Sequence, residues 1–401
     1  MKKLTGKAVQ EKQTEYDFDR VIDRRGTRSA KWQNPDLLPL WVADMDFESP
    51  QAVRDAIMKR ASHNLYGYDQ MPENYFDTVK NWFAKRQNFK IKEEWLVPTS
   101  GVVEALHLTI HSLTLPGDAV LIQPPVYHPF ARSILRSGRQ LVNNPLKRID
   151  EHYEVDFEDL DAKLSNPLVK LLILCNPHNP VGKVFTREEL TEIGNLALKH
   201  NVPVVSDEIH GDLIMSGYRH IPFASINEQF EQNCVICTAP SKTFNLAGLG
   251  TSNIFIPNSK LRNQFERFSQ SLGLHGGTLY GFIACEAAYR TGEKWLDGVL
   301  DYIKENSVFL KKYLADNAPY IRAFDLQGTY LQWLDFRALG LEDEELEIFL
   351  RDKAKLWLSQ GYIFGREGSG FVRVNIAAQR ATLEKALDQL VSALKTHGHS
   401  P

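Results

Sequence analysis

Between about Glu94 and Lys260 the chain repeats one rhythm: an apolar run of strand length, a polar loop, then a helical stretch. The runs are AVLIQ (119–123), LLILC (171–175), VPVV (202–205), CVIC (234–237) and NIFI (253–256). None alternates apolar with polar residues, so each must bury both of its faces. Helical stretches such as SGVVEALHLTIHSL (100–113) and TREELTEIGNLALKH (186–200) lie between several of them. Strands apolar on both faces and alternating with helices make a mostly parallel sheet with helices on both sides. The fold class is α/β. Thr186 followed by Glu189 fits a capping box at the start of the second helix.

The rhythm changes after residue 290. A long helical stretch, 291–317, precedes a candidate strand pair, TYLQWLDF (329–336) and GFVRVNIA (370–377), and two further helical segments. This predicts a smaller α+β domain at the C-terminal end. A chain of 401 residues, 43% hydrophobic, has enough apolar material for two such domains. Internal repeats and low-complexity tracts are absent.

Charge and motifs narrow the function. Lysine and arginine total 47 against 50 acidic residues, which leaves no basic footprint for nucleic acid and no polybasic membrane patch. The N-terminal MKKLTGKAVQEKQTEYDFDR has no apolar stretch behind its lysines, so it does not read as a signal peptide. A run of about 18 apolar residues, as a bilayer span needs, is also missing. Four cysteines in a chain of this length argue against a disulfide framework and for a cytoplasmic protein. Cys234 and Cys237 form a CxxC, but inside a strand-like run and without a second pair, so two buried strand cysteines are expected and no metal. HExxH, GxSxG, a Walker loop and a dinucleotide fingerprint are absent, and GREGSG (365–370) has the wrong glycine spacing for the last.

The chemistry lies in the loops after the strands. Tyr127 comes after AVLIQ, Asn176 and Asn179 after LLILC, Ser206, Asp207 and His210 after VPVV, and Lys242 after CVIC in APSKTFN (239–245). Open α/β sheets bind ligands outside the carboxyl ends of their strands, so these residues are delivered to one edge. Singly each has an ordinary explanation: a packing aromatic, a turn asparagine, a helix cap, a solvated lysine. Jointly they form a device for pyridoxal phosphate. Lys242 is the amine that joins the cofactor aldehyde, and burial should depress its pKa. Asp207 pairs with the pyridine nitrogen, Asn179 donates to the ring 3-oxygen and Tyr127 stacks on the ring. Ser100, Gly101 and Val102, at the start of a helix, offer N–H groups to the phosphate, and Ser241 a hydroxyl. Arg373, flanked by apolar residues in FVRVNIA, needs an anion. A substrate carboxylate suits its planar fork; the alternative is an internal salt bridge.

The motifs WVADMDF (41–47), NLYGYD (64–69), TSGVVEAL (99–106), PPVYHPF (124–130), NPHNPVG (176–182), SDEIHGDL (206–213), APSKTFNLAGL (239–249) and FVRVNIA (371–377) resemble the aminotransferase class I/II superfamily. WVADMDF and SDEIH resemble, more narrowly, its cystathionine β-lyase branch, which includes the maltose regulon modulator. The resemblance runs along essentially the whole chain. It implies the pyridoxal-phosphate-dependent transferase fold (fold type I): a large domain over 48–290 with a mostly parallel seven-stranded sheet, and a small domain from 1–47 and 291–401. It also implies a homodimer with active sites at the interface, where Tyr68 matches the tyrosine that reaches the partner's phosphate. Two positions depart from the aminotransferase pattern. His210 stands where a tyrosine usually meets the ring oxygen, and Gly250 stands where an arginine usually meets the phosphate. Both departures are shared with the lyase branch.

The expected reaction is α,β-elimination from L-cystathionine or a related cysteine thioether, giving a thiol, pyruvate and ammonia. Arg373 holds the substrate carboxylate beside Asn179 and Tyr127, Lys242 removes the Cα proton, and Tyr127 or Lys242 protonates the leaving sulfur. The same residues would serve an aminotransferase. A lyase with a second, protein-binding regulatory role is the other alternative.

Overall fold

The computed structural model describes residues 16–274 and 276–398. Residues 1–15, most of the N-terminal stretch read for a leader and the start of the expected small domain, lie outside the described residues.

A seven-stranded sheet forms the centre. Its strands are β1 (Leu96–Thr99), β2 (Ala119–Ile122), β3 (Gln140–Asn143), β4 (Val169–Cys175), β5 (Val204–Asp207), β6 (Cys234–Thr238) and β7 (Ser252–Phe255), in the spatial order β1-β7-β6-β5-β4-β2-β3. Pairs from β3 to β6 are parallel, while β7 runs antiparallel to both β6 and β1. The expected mostly parallel sheet is therefore present, with one reversed strand.

The apolar runs behave as two-faced burial demands. Val120, Ile122, Leu171, Ile173, Val205 and Val235 pack into one layer with Leu106 and Ile110 of the helix Val102–Leu113. Leu121, Leu172, Leu174, Val204 and Ile236 fill the layer on the other face, with Leu190 and Ile193 of the helix Arg187–Lys199. That second helix starts as expected: Thr186 Oγ1 accepts from Glu189 N–H, and the Glu189 carboxylate accepts from Thr186 N–H. The CxxC cysteines split between the layers, Cys234 to one and Cys237 to the other. Strand residues three apart point to opposite faces, so they cannot act as a dithiol. All four cysteines are free and buried.

Past the helix Glu293–Asn317 lies a second sheet, antiparallel, of β8 (Arg322–Ala323), β9 (Leu331–Asp335), β10 (Ser359–Gln360) and β11 (Phe371–Asn375), ordered β8-β9-β11-β10. The expected strand pair is its centre, β9 against β11 with Trp333 opposite Arg373. Strands β1 and β3 were not evident as apolar runs. β1 is a four-residue edge strand containing Pro98, and β3 is a partly exposed edge; edge positions relax the demand for apolar faces and tolerate proline.

Candidate active site

The parallel strands set the site by ending level. Cys175, Asp207 and Cys237 are opposite one another at the carboxyl ends of β4, β5 and β6. Beyond this edge opens a cleft of about 340 Å³ lined by, among others, Ser100, Gly101, Tyr127, Asn179, Asp207 and His210. Val102, Ser241 and Lys242 line it too. Most of the residues given a role from the sequence thus line one cavity, Arg373 and Tyr68 being the exceptions. Asn176 is not among the lining residues; its Nδ2 donates to the Ile221 carbonyl at 3.1 Å.

Lys242 sits on a four-residue helix, Pro240–Thr243, directly after β6. Its stem faces the cleft, and its Nζ donates to the Ala43 carbonyl at 2.7 Å. Burial pushes this amine down to about 8, with the Arg373 guanidinium pushing the same way and Asp44 and Asp207 opposing. The solvated-turn reading of this lysine is excluded. A lysine that sheds its proton near neutrality is what nucleophilic and base chemistry require.

Asp207 is buried at the end of β5 with Oδ1 accepting from Ile209 N–H at 3.2 Å. Burial raises its carboxyl to about 7, Glu208 next to it adds to the rise, and Lys242 opposes it. Glu208 itself is committed elsewhere, accepting from Ser206 Oγ, Phe223 N–H and His220 Nε2. A cationic group placed beside Asp207 would restore its charge.

Arg373 enters from β11, beneath the cleft lining. Nη1 donates to Asn179 Oδ1 at 2.9 Å, and Nη2 to the Trp41 carbonyl and Ser359 Oγ. These acceptors are neutral, Nε is buried without a partner, and the guanidinium lies 4.8 Å from the Phe364 ring centre. Burial lowers it to about 10. The internal salt bridge weighed for this residue is absent among the described residues, so a buried cation waits for an anion.

The helix Val102–Leu113 presents its N-terminus to the cleft, where first-turn N–H groups have no intrahelical acceptor. The N–H of Ser100 is engaged locally by Glu104 Oε1 at 3.2 Å, and Ser100 Oγ donates to the Gly276 carbonyl. Gly250 has φ +62° and lies under Ser100, where a Cβ would stand 3.4 Å from the Ser100 carbonyl. The left-handed backbone favours a glycine at this position. His210 lines the cleft, buried, with Nδ1 unpartnered and its ring edge-on to Tyr330 at 5.9 Å. Tyr68 does not reach this chain's cleft; it is fully exposed, beside exposed Leu65, Tyr66 and Met71.

The donor set suits pyridoxal phosphate: an enclosed lysine, a buried carboxyl at the sheet edge, an unpartnered imidazole nitrogen and a helix N-terminus converge on one cleft. Residues 35–390 match the family profile "Aminotransferase class I and II". The chain is 42% identical over 385 residues to "Cystathionine beta-lyase PatB" of Bacillus subtilis (strain 168), covering 94% of this chain and 100% of that one. Its structure superposes with a TM-score of 0.93 on cystalysin from Treponema denticola, whose crystals contain pyridoxal 5'-phosphate, at 40% identity over 95% of this chain and 99% of that chain. It superposes at 0.90 on the pyridoxal-phosphate-bound C-S lyase from Staphylococcus hominis, at 32% identity over 95% of this chain and 99% of that one. The fold and cleft define a member of a pyridoxal-phosphate enzyme superfamily. The chain belongs to the aminotransferase class I and II family.

Proposed function

We propose that this protein is a pyridoxal-phosphate-dependent carbon–sulfur lyase that eliminates a thiol from L-cystathionine or a related cysteine thioether, releasing pyruvate and ammonia. The observation that carries the reading is the buried, unneutralised Arg373 beside an enclosed lysine of lowered pKa, in a chain 42% identical to a cystathionine β-lyase.

When bound, pyridoxal phosphate supplies an aldehyde for amines and a ring that accepts the charge left as the Cα–H bond breaks. Asp207 holds the ring nitrogen in its charged form. Asn179, its Oδ1 fixed by Arg373, has Nδ2 free to donate to the ring oxygen, with His210 as a second partner. Tyr127 flanks the ring, and Gly101, Val102 and Ser241 cradle the phosphate; Ser100 joins them only if its N–H leaves Glu104 or its hydroxyl leaves the Gly276 carbonyl. Arg373 takes the substrate carboxylate, with Asn179 and Tyr127 beside it. Lys242 Nζ accepts the Cα proton. Burial raises the Tyr127 hydroxyl, so it keeps its proton at neutral pH and can donate to the leaving sulfur; the Lys242 ammonium is the other donor.

The surrounding arrangement fits a homodimer in which Tyr68 reaches the partner's phosphate cradle, since exposed apolar residues flank it. In this reading the cofactor-binding part would span 48–290 and the small domain 1–47 and 291–401. Four buried free thiols suit a reducing, cytoplasmic setting. Among the described residues no helix is long and apolar enough to cross a membrane.

The test is direct. Purified protein is incubated with L-cystathionine and no keto acid, and pyruvate and thiol are assayed. Steady release of both is expected. Turnover that starts only on adding a keto acid would assign the site to transamination instead.

A further inference from the structure

The stretch 41–47 has no helix or sheet to hold it, yet side chains from other elements grip each of its carbonyls. Arg373 Nη2 and Ser359 Oγ donate to Trp41 O, and Asn375 Nδ2 donates to Val42 O and Asp44 O. Lys31 Nζ adds to Asp44 O, Arg24 and Asn245 donate to Met45 O, Gln379 to Asp46 O, and Asn245 to Phe47 O. The remaining carbonyl, that of Ala43, accepts from Lys242 Nζ at 2.7 Å and from Tyr330 Oη at 3.0 Å.

Tyr330 is delivered there by a strained turn. Thr329, fully buried and β-branched, has φ +70°, a region such residues rarely adopt. It is locked by its N–H to the Leu213 carbonyl at 2.7 Å and by its own hydroxyl accepting from Leu331 N–H. Strain of this kind persists only where surrounding structure over-determines it, and it collects at functional positions.

We propose that Tyr330 is a positioning residue for Lys242: by sharing the Ala43 carbonyl, its hydroxyl weakens the hold on the charged amine and keeps the lysine available as a base. The inference rests on the assignment of Lys242 as the base. A carbonyl has two lone pairs, and two donors divide its electron density. An ammonium is bound by that carbonyl more tightly than a neutral amine is. A second donor therefore discriminates against the ammonium form. Because the neighbouring carbonyls are held independently, removing Tyr330 leaves the Ala43 carbonyl in place and gives it wholly to Lys242. The other groups facing this amine are Arg373 from β11, Asp207 and His210 from the β5 end, Asp44 from the 41–47 stretch, and Tyr127 across the cleft.

The experiment measures the Lys242 pKa in the full-length, cofactor-free chain by pH-dependent competitive acylation and peptide mass spectrometry. Tyr330→Phe is expected to raise it by about half a pH unit. In the loaded enzyme, the acid limb of kcat should move to higher pH by a similar amount with KM little changed. Site-specific 3-fluorotyrosine in place of Tyr330, a near-isosteric and stronger donor, should shift both downward and covers a Phe variant that folds poorly. A Lys242 pKa that stays put or moves oppositely in a folded variant overturns the proposal, even if wild type releases pyruvate. Absence of pyruvate release by wild type would instead overturn the lyase reading and leave the acylation result to judge Tyr330.

Discussion

Arg373 Nη1 donates to Asn179 Oδ1 at 2.9 Å, tying a strand of the small antiparallel sheet to the loop after β4 of the large one. The bond links two functions. It fixes which end of the Asn179 amide faces the cleft, and it orients a guanidinium whose Nε is still unpartnered. On the proposed assignment, a carboxylate arriving at Arg373 would therefore be registered against the group assigned to the cofactor ring.

Arg373→Lys tests that linkage. Lysine keeps the positive charge but has neither the planar fork nor the reach to span Asn179, Ser359 and the Trp41 carbonyl. We expect kcat/KM for L-cystathionine to fall about 10²-fold, with most of the loss in KM. Steady-state kinetics checks this, and an unchanged KM would remove Arg373 from carboxylate binding.

Asp207→Asn should change how the cofactor-free protein responds to pH. The folded carboxyl titrates at about 7, well above its ordinary 3.8. The folded state then binds a proton that the unfolded state has released across this window, so stability is lost as pH rises from about 4 to about 7. Lys242, lowered to about 8 from 10.5, has the opposite sign and returns stability only above 8. Half-buried His128 and buried His178 and His210, all pushed down, oppose Asp207 below pH 6.5. The comparison must therefore be variant against wild type. Urea unfolding of the two cofactor-free chains should show Asp207→Asn gaining on wild type between pH 4 and 7, by a few kcal/mol. A constant difference across that range would mean that the carboxyl is not held neutral.

The cysteines make a prediction of the opposite kind, that nothing happens. Cys175, Cys234, Cys237 and Cys285 are at most 4% exposed, and burial raises all four thiols. Thiolate is the reactive form. A thiol reagent should titrate almost none in the native protein and all four in denaturant. Rapid native labelling of Cys234 or Cys237 would reopen a redox role for the CxxC.

Legibility in the sequence followed the physics of each residue. Tyr127, Asn179, Asp207 and Lys242 could be read because each stands just past a run that must be a buried strand. Arg373 could be read because a guanidinium among apolar neighbours needs an anion. The Ala43 carbonyl could not, since a backbone acceptor leaves no mark in a string of side chains. Tyr330 was equally hidden: in TYLQWLDF it is one more strand aromatic, and only the left-handed Thr329 turns its hydroxyl to Lys242's acceptor. Glu104 looked like an ordinary helix residue, yet it engages the Ser100 N–H expected for phosphate. Tyr68 had no local signal at all and came only from family resemblance.

Lys242→Ala is the decisive variant. The amine is enclosed, lowered by burial to about 8, and bonded to a carbonyl of a tightly held segment. On the proposed assignment, removing it takes away both the attachment of the cofactor and the base for the Cα proton. We expect lyase activity to fall by at least about 10³-fold. Fold is a lesser concern, because the alanine leaves the Ala43 carbonyl still bonded to Tyr330. Borohydride treatment of the loaded wild type should fix the cofactor to the peptide containing Lys242, and the variant should carry no such label. If the variant keeps most of its turnover, or the label maps to another lysine, then the base and the anchor lie elsewhere in the cleft.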